Sequence, residues 1–386
     1  MARYSIARRL RLGCVLARSA WALAAALIAT PCSVMAAPAK PAFDLGAMPV
    51  YAPARTGSSG HCHGAVCNGE WGVIRVQASE NFQELVAGWQ DAFLDLHPNI
   101  RFSDYFMPSG IGGLVTNTYD IGVLGHSAWR SDFEAFREAK GHDPLEIMFA
   151  TGGFDEGKAN TPAPVFIVNK DNPLASLTLE QIDGIFGAER TGGWTRNFTW
   201  TTASARPSSE NIRTWGQLGL TGEWADKPIH LYGFDATLSN WSQLIEQVAF
   251  KGGDKWNPRI HELVRGGTKG PADAQIVQAV VDDKYAIAFD IMRVVRKEPR
   301  VKALPIAGSG AAPVMPSTES IFHREYPFAN AVYLYVDRKP GQALAPRIKE
   351  FLTFVLSRQG QEMVARQGLF IPLNAEAARR ELEKLR

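Results

Sequence analysis

Regular apolar spacing begins at Trp71. Residues 72–77 predict a strand. Phe82, Leu85, Val86, Trp89, Phe93 and Leu96 recur at helical intervals and predict an amphipathic helix over 81–96. A strand over 100–106 comes next, then a glycine-rich turn at 109–113 opening a short helix. A strand over 119–124, a helix over 131–139 and a strand over 145–150 continue the series. Strand and helix alternating in this way imply a parallel sheet with helices on both faces.

The rhythm continues with a strand over 165–169 and a helix over 178–186, where Thr178 and Gln181 have the spacing of a capping box. Strands are expected over 229–232, 285–291, 301–306 and 331–336. Helices are expected over 238–250, 274–281, 344–356, 359–366 and after Asn374. Two stretches lack periodicity. Residues 37–70 are rich in Ala, Pro, Gly and Ser and read as a flexible arm. Residues 188–214 are polar, contain Gly192-Gly193, and read as a surface loop whose shortening would leave the protein folded. The rest, about 315 residues, is enough for two lobes with separate cores.

The start of the chain changes the charge account. Arg3, Arg8, Arg9, Arg11 and Arg18 precede a short apolar run over 20–29, and Val34-Met35-Ala36 offers a small-residue exit. These are the marks of a secretory signal peptide cleaved after Ala36, with export to the periplasm expected. The alternatives are an uncleaved membrane anchor and, from Arg8-Arg9, a twin-arginine signal. The chain holds 41 basic and 39 acidic residues, and residues 1–36 hold five of the basic ones and none of the acidic ones. Residues 37–386 therefore have 36 against 39, a net of −3. No nucleic-acid footprint of clustered Lys and Arg is present, so no nucleic-acid partner is expected. An anion would have to be held by local donors. Cys62 and Cys67 remain after cleavage. An oxidising compartment makes a local disulfide the first reading. A zinc site with His61 and His63 is the alternative, at a spacing that fits no standard zinc pattern.

Several segments, taken in order, resemble the phosphate-binding component of ABC phosphate transporters, within the type II periplasmic binding proteins. They are Asn169-Lys170-Asp171-Asn172-Pro173 with Leu177-Thr178-Leu179-Glu180-Gln181-Ile182, then Trp215-Gly216-Gln217-Leu218-Gly219 and Asp283-Lys284-Tyr285-Ala286-Ile287-Ala288-Phe289. Tyr326-Pro327-Phe328 and Ser357-Arg358-Gln359-Gly360-Gln361 complete the set. The resemblance runs from about Gly72 to Pro372 and rests on order and spacing. It implies an α/β protein of two lobes, each a mostly parallel sheet flanked by helices, joined by crossing strands, with ligand captured by hinge closure. Residues 71–160 with 318–386 would form lobe 1, and 161–317 lobe 2. The implied partners are a small oxyanion, phosphate first, and an inner-membrane ABC permease. A monomer is expected, and no cofactor or metal is implied.

Three loops carry the donor types that an oxyanion needs. They are Ser79 to Asn81, then Ser109-Gly110-Ile111-Gly112-Gly113, then Thr237-Leu238-Ser239-Asn240. Each leads from a strand into a helix, where unpaired backbone N–H groups and the helix dipole favour negative charge. Singly, Ser79, Ser109 and Ser239 or Asn240 could be ordinary N-caps. Taken together, at matching family positions, they point to ligand contact. Two departures from the family stand out. Its arginine before the third loop falls on Gly233, and the aspartate that accepts a phosphate proton falls near Gly125-His126-Ser127. His126 can stand in for the aspartate when neutral, or be a solvent-exposed loop residue. Arg130 is the nearest compensating cation, or a surface charge. The departures imply weaker binding and poorer rejection of sulfate. They also leave open a second function, a binding or sensing module uncoupled from transport. Catalysis has no support from motifs: there is no Gly-x-Ser-x-Gly elbow, His-Glu-x-x-His helix or Walker loop.

Overall fold

The computed structural model describes residues 43–53, 72–106, 111–154, 161–195, 199–236, 239–263 and 271–386. The cleavage site at Ala36, Cys62, Cys67, Ser109, Gly110 and Thr237 lie outside these described residues.

Two sheets organise the chain. The first has six strands in the order Phe370–Pro372, Leu145–Gly152, Ala331–Val336, Ile121–Leu124, Val73–Ala78, Arg101–Phe106. The second has five, in the order Ile260–Glu262, His230–Gly233, Ala286–Ile291, Pro164–Asn169, Val301–Ala303. The α/β architecture of two lobes is thus as the sequence implies. The pairing is more mixed than the strand–helix rhythm suggests. Val73–Ala78 runs parallel to both its neighbours, but Ala331–Val336 and Phe370–Pro372 join antiparallel. In the second sheet Pro164–Asn169 is antiparallel to both its partners. The double crossing accounts for Pro164–Asn169 and Ala331–Val336, which arrive from the other lobe and enter from the opposite end; Phe370–Pro372 instead adds at the edge after helix Arg358–Gln367.

Packing accounts for the strongest periodic signals. Helix Gln83–Leu94 buries Leu85, Val86, Trp89 and Phe93. Phe93 packs on Phe351 and Phe354, and the Trp89 Nε1–H donates to Gly360 O at 2.9 Å. The C-terminal helices Pro346–Leu356 and Arg358–Gln367 therefore complete the first lobe's core. Pro164–Asn169 and Ala286–Ile291 are buried throughout, as central strands covered on both faces are. The strand expected over 301–306 breaks into Val301–Ala303 and Ile306–Ala307, which join different sheets. Pro305, between them, has no N–H to offer a ladder.

Two segments are more tightly held than their composition suggests. Part of the arm is not flexible: over 43–53, Leu45, Met48 and Tyr51 are buried. The Tyr51 hydroxyl donates to Glu350 Oε1 at 2.7 Å and lies 2.5 Å from His97 Nε2, while Pro49 O accepts from Arg358 N at 2.8 Å. Three apolar side chains in a Pro/Ala-rich stretch are enough to dock it. The 188–214 segment, expected as a surface loop, is also anchored to the second lobe. Asp183, in helix Leu179–Phe186, is buried and accepts from Arg190 Nη1 and Nη2 at 2.7 and 2.6 Å and from Arg206 Nε at 3.1 Å. Both arginines are buried and both come from the loop. A carboxylate shared by two desolvated guanidiniums is stable only while all three are present.

Replacing Asp183 by Ala is therefore expected to cost about 3–5 kcal/mol, because it strands two buried cations. Urea unfolding monitors this; a loss below about 1 kcal/mol would contradict the anchoring role.

Candidate functional site

The chain crosses between lobes twice, from Leu145–Gly152 to Pro164–Asn169 and back from Pro313–Val314 to Ala331–Val336. Hydrogen bonds pin the crossings to each other. Gly152 N–H donates to Asn330 O at 2.7 Å, Asn330 Nδ2 donates to Thr161 O at 2.9 Å, and the Tyr326 hydroxyl donates to Pro164 O at 2.8 Å. Thr161 presses on two glycines. A Cβ at Gly152 would fall 1.8 Å from Thr161 O, and one at Gly125 would fall 2.5 Å from Thr161 Cγ2. Thr161 itself has φ of +44°, in the left-handed region that β-branched residues avoid. Its hydroxyl is buried with no hydrogen-bond partner among the described residues. This residue escapes a reading of the sequence; its one signal is a hydroxyl side chain directly before Pro162 at the entry to the crossing strand.

The loops expected to bind anion divide into those whose hydroxyls are used and those whose are not. Ser239 is a cap: its Oγ accepts from Trp241 N at 3.2 Å at the start of helix Asn240–Val248. Ser79 precedes the 3-10 turn Glu80–Phe82, and its side chain makes no cap bond. The capping alternative thus holds for Ser239 and not for Ser79. Asn81 is exposed within that turn. Gly112 opens the turn Gly112–Val115, and no described residue lies within 4 Å of where its Cβ would be, whereas a Cβ at Gly113 would meet Tyr119 at 2.2 Å and Gln77 Oε1 at 2.5 Å. Packing demands the glycine at 113.

His126 comes just after strand Ile121–Leu124 and has a defined proton position. Its Nδ1 lies 2.6 Å from Ser127 O, a carbonyl that can only accept, so Nδ1 carries the proton. Burial lowers its pKa, against the opposing effects of that backbone bond and of Asp132. A neutral ring protonated at Nδ1 has a lone pair at Nε2. His126, Ser127, Asn240, Gln243 and Asn330 line a small cavity of about 30 Å³ where the two lobes and a crossing meet. The Ser127 hydroxyl is turned toward Glu146 Oε2 at 3.4 Å. Gln243 Nε2 donates to Ala128 O at 3.2 Å, a direct bond between the lobes.

Arg130 is committed elsewhere. Its guanidinium lies 4.6 Å from the centre of the Trp194 ring and 3.7 Å from Asp254 Oδ2, both on the second lobe. We assign it to holding the lobes together rather than to an oxyanion. It borders a larger interlobe groove of about 940 Å³. Glu246 lines the same groove and accepts from Trp256 Nε1 at 2.7 Å. Among the described residues, no three His, Cys, Asp or Glu are grouped so as to hold a metal, and no helix is long and apolar enough to cross a membrane.

Two lobes, two pinned crossings and a polar seam between them make a two-lobed α/β protein with a groove between its halves. Residues 52–359 match the family described as a PBP superfamily domain, and the chain belongs to it. It is 28% identical over 321 residues to the phosphate-binding protein PstS of Pseudomonas aeruginosa, covering 82% of this chain and 88% of that one. It is 25% identical over 276 residues to the protein SphX of Synechococcus elongatus, covering 70% and 68% of the two chains. A solved structure of PstS from Borrelia burgdorferi shares 15% identity at a TM-score of 0.48, covering 78% of this chain and 99% of that one.

Burial pushes the Glu246 carboxyl up to about 7, reinforced by Asp254 and opposed by Trp256 and Arg130. A carboxyl raised in the folded state contributes stability below the ordinary carboxylate range, and this is lost as pH rises through about 7. Unfolding free energy is expected to fall by a few kcal/mol between about pH 5 and about pH 8, and Glu246→Gln to flatten that slope. An equal slope in the variant would contradict the assignment.

Proposed function

We propose that the protein is the exported solute-binding component of an ABC-type uptake system and captures a small oxyanion, phosphate first, between its lobes. The observation that carries this reading is the likeness to PstS over 82% of this chain and 88% of that one. The geometry supports it. The Ser79 side chain makes no cap bond at its helix start, and the Thr161 hydroxyl is buried with no partner among the described residues. The lone pair of neutral His126 accepts the proton of a protonated oxyanion, the task of the family's aspartate. Sulfate, with no proton to give at neutral pH, leaves that lone pair unanswered. Ser109, Gly110, Gly112, Thr237 and Asn240 add donors or room on sequence grounds, while Ser239 contributes through its helix start. The same reading takes the protein as a periplasmic monomer that delivers to an inner-membrane permease and catalyses nothing.

Calorimetry with phosphate and sulfate tests this. Hydrogen bonds to a charged ligand are worth about 1.5–3 kcal/mol each, so Ser79→Ala and Thr161→Val should each weaken phosphate binding by about 10- to 100-fold. Thr161→Val should at the same time preserve or raise thermal stability, since it removes an orphaned buried hydroxyl. His126→Phe should narrow the preference for phosphate over sulfate. Absence of oxyanion binding at about 1 mM would overturn the reading in favour of a binding module uncoupled from transport.

A further inference from the structure

Residues 43–53 lie on the first lobe as a strap that belongs to neither sheet. One turn interrupts it, closed by Met48 N–H to Leu45 O at 3.1 Å. Leu45, Met48 and Tyr51 are buried at every third position, while Val50 beside them is 61% exposed. One side of the strap therefore faces protein and the other faces out.

The surface beneath holds the strap by its backbone. Gln359 takes both main-chain groups of Tyr51: its Oε1 accepts from Tyr51 N–H at 2.9 Å and its Nε2 donates to Tyr51 O at 3.0 Å. Arg358 donates its N–H to Pro49 O at 2.8 Å and its guanidinium to Gly46 O. Arg379 Nη2 donates to Ala47 O at 2.9 Å. The Tyr51 ring packs on Phe93 and Phe354, with centroids 6.4 and 5.4 Å away, and its hydroxyl donates to Glu350. Main-chain hydrogen bonds combined with seats for spaced side chains are how a groove recognises an extended peptide.

The partners come from both ends of the chain. Phe93 is in helix Gln83–Leu94, and the others are in the C-terminal helices Pro346–Leu356, Arg358–Gln367 and Ala375–Glu383. The first lobe is assembled from those two ends, so a strap across them fastens the join. None of these partners lines either cavity between the lobes.

We propose that residues 43–53 are a peptide ligand carried by the chain itself, and that the surface under them is a peptide-binding groove. Its occupant is an extended segment with Leu, Met and Tyr at three-residue spacing. Docking is an equilibrium of its own, separable from folding, that clamps the C-terminal helices to the first helix. The stretch 54–71 keeps strap and groove on one chain. A tether of that length holds the effective concentration in roughly the millimolar range, so an intrinsic Kd of about 100 µM or tighter keeps the groove filled. The proposal does not depend on what binds between the lobes.

The test is fluorescence anisotropy of a labelled peptide of residues 43–53, titrated with the full-length protein. In the wild type the strap competes, and the apparent Kd should be about 1 mM or weaker. Leu45→Ser, Met48→Ser and Tyr51→Ala together should empty the groove, and the peptide should then bind with Kd below about 100 µM. A peptide carrying Tyr51→Ala should bind that variant at least about tenfold more weakly, as should the normal peptide when Gln359→Ala is added to the protein. Circular dichroism of the triple variant should match the wild type. Equal peptide binding by wild type and triple variant, or none by a folded triple variant, would overturn the proposal. Loss of the fold in the triple variant would overturn it too, because the strap would then be part of the core and not a ligand.

Discussion

The hydrogen bonds that tie the two crossings together are the constraint on which the rest depends. Asn330 accepts from Gly152 N–H with its carbonyl and donates to Thr161 O with its side chain, so one buried residue binds the outgoing and returning segments. The fit leaves no room for a Cβ at Gly152 or Gly125. It also fixes Thr161 at the seam, with its hydroxyl buried and unpaired among the described residues. Strain and an unsatisfied polar group in one residue are what a fold tolerates where something else compensates, and an oxyanion would.

Around that pivot the lobes already touch. Gln243 bonds Ala128, the Trp241 indole donates to Pro162 O at 2.7 Å, and Arg130 reaches over Trp194 toward Asp254. The last contact gives the 188–214 segment a purpose beyond its own packing. Two of its arginines anchor it to Asp183, and that anchoring presents Trp194 to the first lobe. Side chains thus tie the two lobes to each other directly.

How much of this is legible in the sequence depends on the range of each signal. Local periodicity places helix Gln83–Leu94 and the buried strands Pro164–Asn169 and Ala286–Ile291, because burial of one face or both leaves a spacing that can be counted. The order of motifs gives two lobes. What periodicity cannot carry is strand direction after a crossing, hence the mixed sheets, or the partner of a charge far along the chain. Arg190 and Arg206 read as loop polarity because Asp183 lies in the preceding helix, and Arg130 reads as an anion donor because Trp194 and Asp254 come from the other lobe. Ser79 stands out as a hydroxyl between a strand and a helix, and His126 from the family resemblance, which puts an aspartate near that position. Thr161 does not, since its significance lies in two glycines that meet it only in space.

The central claim is the proposal that Ser79, Thr161 and His126 together hold an oxyanion between the lobes. A crystal structure of the protein with phosphate tests it most directly. The account predicts density between the lobes, with phosphate oxygens within about 3 Å of the Ser79 and Thr161 hydroxyls and one oxygen donating to His126 Nε2. Phosphate bound away from all three, or a seam that stays empty at saturating phosphate, would contradict it.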